Sequence, residues 1–113
     1  MAHYIISNYY ILEIILKQTV LFLIFINTTL IASDGADLYK QCVACHGING
    51  EKKALNRSEI IAGWDTARIE TALLAYKAGT RDINGMGRLM KGKVAAYSDE
   101  EIHAVAEYIS TLK

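Results

Sequence analysis

Cys42-Val43-Ala44-Cys45-His46 contains both cysteines of the chain. Two thiols three residues apart, with a histidine directly after, form the attachment signature for a c-type haem. On one helical turn, residues i and i+3 share a face. Both sulfurs can therefore make thioether bonds to the two vinyl groups of one porphyrin. His46 is then aimed at the iron as an axial ligand, and a haem with a histidine ligand is a redox centre. Other uses of two cysteines fit less well. A thioredoxin-like dithiol accompanies a βαβ pattern, which this chain lacks. Half a zinc site would need a second cysteine pair or a His-x-His partner. A disulfide across so short a loop stabilises little.

The 113 residues suffice for one small domain. Twelve basic and twelve acidic side chains balance, so bulk charge implies no partner, and the absence of a basic tract argues against nucleic acid. Residues 1–33 stand apart, with Glu13 and Lys17 as their only charged side chains. Lys17, the apolar run Val20–Ile26, polar Asn27-Thr28-Thr29 and then Leu30-Ile31-Ala32-Ser33 read as a secretory signal peptide. Cleavage is expected after Ala32 or Ser33, although either site puts a bulky Leu30 or Ile31 at position −3. The segment ahead of Lys17 is long and aromatic for a signal, which suggests an over-extended N-terminus with translation starting near Leu16. An uncleaved anchor is the alternative. The apolar run is shorter than the roughly 20 residues of a spanning helix, and only a loose count from Ile11 to Ala32 would reach across. The expected division is 1–33 signal peptide and 34–113 exported domain, in the periplasm or anchored to the membrane. At about 80 residues, such a domain is near the size at which a core alone is marginal. A buried haem would supply the missing apolar mass.

Helical spacing predicts a first helix over 35–45, with Gly35 and Tyr39 one turn apart and Gly47 ending it. Gly35 either marks close approach by another backbone or simply opens the helix. In 51–64, Ile60, Ile61 and Trp64 should be buried, and Ser58 could cap a short turn. Trp64 is either a core aromatic or a hydrogen-bond donor to a haem propionate. Asp65 should cap a helix carrying the stripe Ile69, Ala72, Leu73, Tyr76 and stopped by Gly79. Residues 80–97 read as a long functional connection with Gly85, Gly87 and Gly92. The last helix opens with a Ser98/Glu101 capping box and a Tyr97/Ile102 staple, with Asp99, Glu100 and Glu101 at its positive end and Lys113 at the other. Ile102, Val105, Ala106 and Ile109 should face inward and His103 the solvent. With no internal repeat and no alternating strand pattern, the domain should be all-α, with three to four short helices packed around one covalently bound haem.

A thioether sulfur suits the sixth iron position of an electron carrier, being soft, neutral and favourable to Fe(II). Met86 and Met90 compete for it. Gly35…Leu38-Tyr39…Cys42-Val43-Ala44-Cys45-His46-Gly47, then Met90, then Ser98-Asp99-Glu100-Glu101-Ile102 and Val105-Ala106-Glu107-Tyr108-Ile109 resemble the small monohaem class I bacterial cytochromes c, of the short soluble periplasmic type. The likeness covers the whole exported domain. In that family the ligand methionine precedes the capping serine by about eight residues, which selects Met90 and leaves Met86 as runner-up. The family also implies that Gly35 and Tyr39 pack against the last helix near Tyr108. One departure is the absence of proline. Many members carry one after the haem motif, and its carbonyl orients the histidine. Here a carbonyl from 52–58, or water, should accept the His46 Nδ1–H.

With protein atoms on both sides of the iron, no coordination site is left for a substrate, which points away from catalysis and toward single-electron transfer. A haem peroxidase or small-ligand sensor with a labile methionine is the alternative. The resemblance implies redox protein partners, namely a quinol-oxidising membrane complex upstream and a terminal oxidase or peroxidase downstream, acting on a monomer. Lys77, Arg81, Arg88, Lys91 and Lys93, against the single acid Asp82, could steer an acidic partner face.

Overall fold

The computed structural model describes residues 1–26 and 33–113, in two compact units, 1–31 and 32–113. The first is a helix, α1 (Ala2–Ile26), whose side chains are exposed through Leu23. Its stretch Ala2–Leu23 is long and apolar enough to cross a membrane, a property that signal sequences and anchors share. Residues ahead of Lys17 thus continue the same helix. Asn27 to Ala32, including the first expected cleavage position, lie outside the described residues.

The second unit is all-helical among the described residues: α2 (Gly35–Tyr39), α3 (Val43–His46), a 3-10 turn (Ala54–Asn56), α4 (Thr66–Ala78), α5 (Gly87–Val94) and α6 (Asp99–Ser110). α6 is the centre, because α2 and α4 both pack on it and α5 packs on α4. Its apolar stripe is the most deeply buried part of the fold, with Ile102, Val105, Ala106 and Ile109 all at most 2% exposed. The capping box forms in full: Ser98 Oγ accepts from Glu101 N–H at 3.1 Å, and Glu101 Oε2 from Ser98 N–H at 3.0 Å. These two bonds satisfy donors that a helix start otherwise leaves open. Lys113 does not serve the opposite end, since α6 stops at Ser110 with no basic residue in its last turn.

Gly35 fills both of the roles considered for it. Asp34 caps α2 through Ala36 N–H at 3.0 Å. A Cβ on Gly35 would also collide with the Ala104 carbonyl oxygen and with Tyr108 Cβ. One turn on, Tyr39 stacks obliquely on Tyr108 with ring centroids 5.5 Å apart. Its hydroxyl donates to the Gly47 carbonyl at 2.7 Å, and burial pushes its pKa up to about 12. This tyrosine ties the haem-motif segment to α6.

Four further expectations need correction. The helix over 35–45 is two helices, because Lys40 and Cys42 bond back three residues, to Asp37 (3.3 Å) and Tyr39 (2.8 Å). That tightening breaks the α ladder before α3. Ser58 closes the 3-10 turn from behind, accepting from Ala54 N–H at 2.8 Å, and Ile60 beside it is exposed. The connection 80–97 contains the helix α5. Its start is fixed by Asp82, whose Oδ1 accepts from Gly87 N–H at 2.8 Å. Gly87 is required there because a Cβ would strike the Arg81 carbonyl and Asp82.

Candidate haem site

Two adjoining hollows, both open to solvent, lie in the helical unit. They share Cys42, His46, Ala54, Leu73, Met90 and Ile109 as walls. α3 and the turn before it bring in the motif residues, α4 gives an apolar wall, α5 faces them with Met90, and α6 closes the floor. Cys45 lines one hollow with Leu89, Lys93 and Val94. Trp64, Tyr76, Arg81 and Met86 line the other.

The donor set fits an iron porphyrin. Both thiols are free and half-buried, so neither is consumed by a disulfide. Burial pushes the Cys42 pKa up to about 11. A dithiol oxidoreductase needs the opposite, a depressed pKa and a ready thiolate. His46 is 8% exposed, and burial lowers its pKa. The ring therefore stays neutral at pH 7, the form that ligates a metal. Among the described residues no cluster of three or more His, Cys, Asp or Glu is placed to hold a metal ion.

The sequence reading gave His46 Nδ1–H to a carbonyl of 52–58 or to water. The carbonyl bond is absent: Nδ1 is sealed from solvent and has no partner among the described residues. The segment is tied to His46 differently, through Lys52 N–H to the His46 carbonyl oxygen at 2.9 Å.

Met90 and Met86 lie one turn apart, with Met90 N–H bonding to the Met86 carbonyl at 3.0 Å. Met90 is half-buried and borders both hollows along with His46, whereas Met86 is 5% exposed and borders one. Trp64 reaches the cavity wall, and the Arg68 guanidinium lies 3.5 Å from its ring centroid. Of the basic residues around the loop, Lys77 is paired with Asp99 at 2.8 Å. Arg81 is half-buried in the cavity wall. Arg88, Lys91 and Lys93 stay exposed on α5. The wall residues Ala54, Ile83 and Leu89 carried no signal in the sequence, since short apolar stretches among polar residues look the same in a loop and in a pocket.

Comparison with known proteins identifies the family. The family described as Cytochrome c matches residues 32–113. Cytochrome c-553 of Helicobacter pylori is 42% identical over 84 residues, covering 74% of this chain and 83% of that protein. Cytochrome c-553 of Nitratidesulfovibrio vulgaris is 38% identical over 81 residues, 72% of this chain and 78% of that protein. The cytochrome subunit of sulfide dehydrogenase from Chlorobaculum tepidum is 41% identical over 80 residues, 71% of this chain and 67% of that protein.

Proposed function

Because the chain belongs to the cytochrome c family and so carries one covalently bound haem c with its iron, we propose that it is an exported electron carrier with His46 and Met90 as axial ligands. In this reading Cys42 and Cys45 hold the porphyrin by thioethers, residues 1–33 direct export, and 34–113 is the working domain in the periplasm. The observation that carries it is the meeting of Cys42, His46 and Met90 on the walls common to both hollows.

When bound, the haem supplies one-electron Fe(II)/Fe(III) chemistry. The chain's residues set the conditions for it. Neutral His46 and the uncharged Met90 sulfur add no charge to the iron, and a methionine ligand raises the potential. The apolar walls formed by Ile69, Leu73 and Ile109 keep water away. Thioether anchors and the packed helices leave little to rearrange between oxidation states. With both axial positions held by side chains the protein carries electrons and does not act as an enzyme. Its partners are redox proteins, a quinol-oxidising complex upstream and a terminal oxidase or peroxidase downstream. The name of the Chlorobaculum relative favours a dehydrogenase as a second class of partner.

The test uses the purified exported protein. Haem staining on a denaturing gel should be positive, and N-terminal sequencing should begin after Ala32 or Ser33. The ferrous spectrum should ignore carbon monoxide, and Met90→Ala should make it respond at once. A rapid response in the unaltered protein would overturn the closed-site reading in favour of a peroxidase or sensor.

A further inference from the structure

Left-handed backbone is uncommon outside glycine, and in a bulky residue it is an outlier. Among the described residues, the side chains that adopt it are Leu55, Asn56 and Asn84, at φ 51°, 57° and 54°. All three belong to the rim of one hollow. Leu55 and Asn56 sit between Ala54 and Ser58, which line it together with His46. Asn84 follows Ile83 in the part of the wall that leads to Met86 and Met90. Leu55 is 64% exposed, so burial does not offset its strain. Such positions persist where the surroundings over-determine them, as ligand clamps do.

One hydrogen bond joins the two strained segments: Asn84 Nδ2 donates to the Arg57 carbonyl oxygen at 2.7 Å. No backbone hydrogen bond links 52–58 to 80–90 among the described residues. The acceptor side is pinned. Arg57 N–H donates to the Ala54 carbonyl at 2.9 Å, Ala54 N–H to Ser58 Oγ at 2.8 Å, and Lys52 N–H to the His46 carbonyl at 2.9 Å. On the donor side, Met86 N–H closes a turn on the Ile83 carbonyl at 3.0 Å. Its central residues are Asn84 and Gly85, both at positive φ, and Asn-Gly is the pair that a mirror-image turn favours. α5 starts directly after, with Met86 as its cap. Asp82 also holds that start through Gly87 N–H, but it belongs to the same loop and moves with it. The Asn84 amide instead ties the entry of α5 to a segment bonded to His46.

We propose that Asn84 is a positioning residue for Met90: its amide latches the entry of α5 to the Arg57 carbonyl and so slows withdrawal of the Met90 sulfur from the iron. The proposal rests on the reading of Met90 as axial ligand. Met90 lies one turn into α5, with its N–H on the Met86 carbonyl, so it moves with that entry. Swinging the entry outward requires breaking the bond to Arg57. The latch sets how often the sixth iron position opens, and leaves unchanged which atom fills it.

The experiment uses the mature ferric holoprotein, with imidazole as the probe. Imidazole binds only after Met90 has left, so at high concentration its binding rate levels off at the rate of Met90 withdrawal. Asn84→Asp keeps the shape, but its carboxylate has no proton to donate. Asn84→Gly keeps the left-handed backbone and removes the amide. Both should raise the plateau rate roughly two- to tenfold, the worth of one hydrogen bond, with the resting spectrum unchanged. His103→Ala breaks an exposed link between α4 and α6 and should leave the plateau at the wild-type value. Wild-type plateaus in both Asn84 variants overturn the proposal. So does an equal rise in His103→Ala, which would mean general loosening. Failure of both Asn84 variants to load haem would make the residue one of folding, and overturns it too. The ligand reading fails separately: a Met90→Leu protein with the wild-type resting spectrum removes Met90 as ligand, and this proposal with it. Wild-type plateaus beside an altered Met90→Leu spectrum overturn only the role of Asn84.

Discussion

Met86 and Met90 are the same side chain one helical turn apart, and their surroundings give them different work. Met86 is buried under the start of α5 and touches one hollow. A flexible thioether there is filling space. Met90 faces the wall that His46 also lines. Met86→Leu conserves volume and should cost less than about 1.5 kcal/mol, and Met86→Ala about 2–5 kcal/mol. Neither should alter the oxidised spectrum. Under the proposed ligation, Met90→Leu fills the same space but removes the ligand sulfur. It should lower the midpoint potential by a sizeable part of the ~0.8 V span that axial ligands command. Equilibrium denaturation and redox titration of the four proteins, wild type included, check both halves. A spectral change in Met86→Leu rather than Met90→Leu would exchange the two roles.

Among the helices, α5 was the one hidden in the sequence. Gly87 and Gly92 look like breakers, and Lys91 and Lys93 look like loop cations. Met86, Met90, Val94 and Tyr97 were nonetheless spaced for one helical face, and three of the four are buried. The capped helices α4 and α6 were legible because their signals are local: Asp65 bonds Arg68 N–H at 2.8 Å, and the Ser98 box is written in four residues. The start of α5 depends instead on the close approach of Arg81 and Asp82 to Gly87, which no local pattern encodes. The haem motif was legible for the same local reason, whereas Arg81 in the cavity wall was not. The glycines themselves offer a test. Gly92 has open space where a Cβ would go, so Gly92→Ala should stabilise by about 1 kcal/mol through helix propensity. Gly35→Ala drives a methyl group into the α6 backbone and should destabilise by about 1–3 kcal/mol or more. Opposite shifts in thermal midpoint are expected. His103 links α6 to α4. Although about half exposed, it lies 3.0 Å from Glu70 and 3.4 Å from Glu107, so the solvated reading was incomplete. Its pKa is raised above 6.5, first by the hydrogen bond to Glu70 and then by that carboxylate's charge. A raised folded pKa adds stability below the unfolded value, and that increment is lost as pH rises through the folded pKa. Wild type should therefore lose its advantage over His103→Ala between mildly acidic and mildly alkaline pH. An advantage that grows with pH would contradict the pairing.

Taken whole, the helical unit has a charged side and a hollow middle. Arg88, Lys91 and Lys93 project from α5, and Lys93 and half-exposed Leu89 border the hollow that holds Cys45. A partner approaching that edge meets positive charge, so reversing Lys91 and Lys93 should slow electron exchange with an acidic partner, more at low salt than at high. Rates indifferent to both charge and salt would remove the steering idea. The hollow has a larger consequence. The continuous core consists of Tyr39, Ile69, Tyr97, Ile102, Val105, Ala106, Ile109 and Leu112, gathered where α2, α4 and α6 meet. α3, the 3-10 turn and α5 have little of that core to themselves. They border the cavity, where Ala54 and Val94 are already buried and half-buried Met90 and exposed Leu89 gain further burial when it is filled. A small domain has little stability to spare, and emptying its middle removes a share of the burial that offsets chain entropy. The polypeptide without haem, made as Cys42→Ala/Cys45→Ala and expressed without export, should therefore keep at most part of its helix content and unfold without a sharp transition. The holoprotein should melt cooperatively. Calorimetry and far-UV circular dichroism of the pair test this. A cooperative transition in the haem-free chain at neutral pH would show that the helices define the cavity by themselves, and that the porphyrin enters a fold already complete.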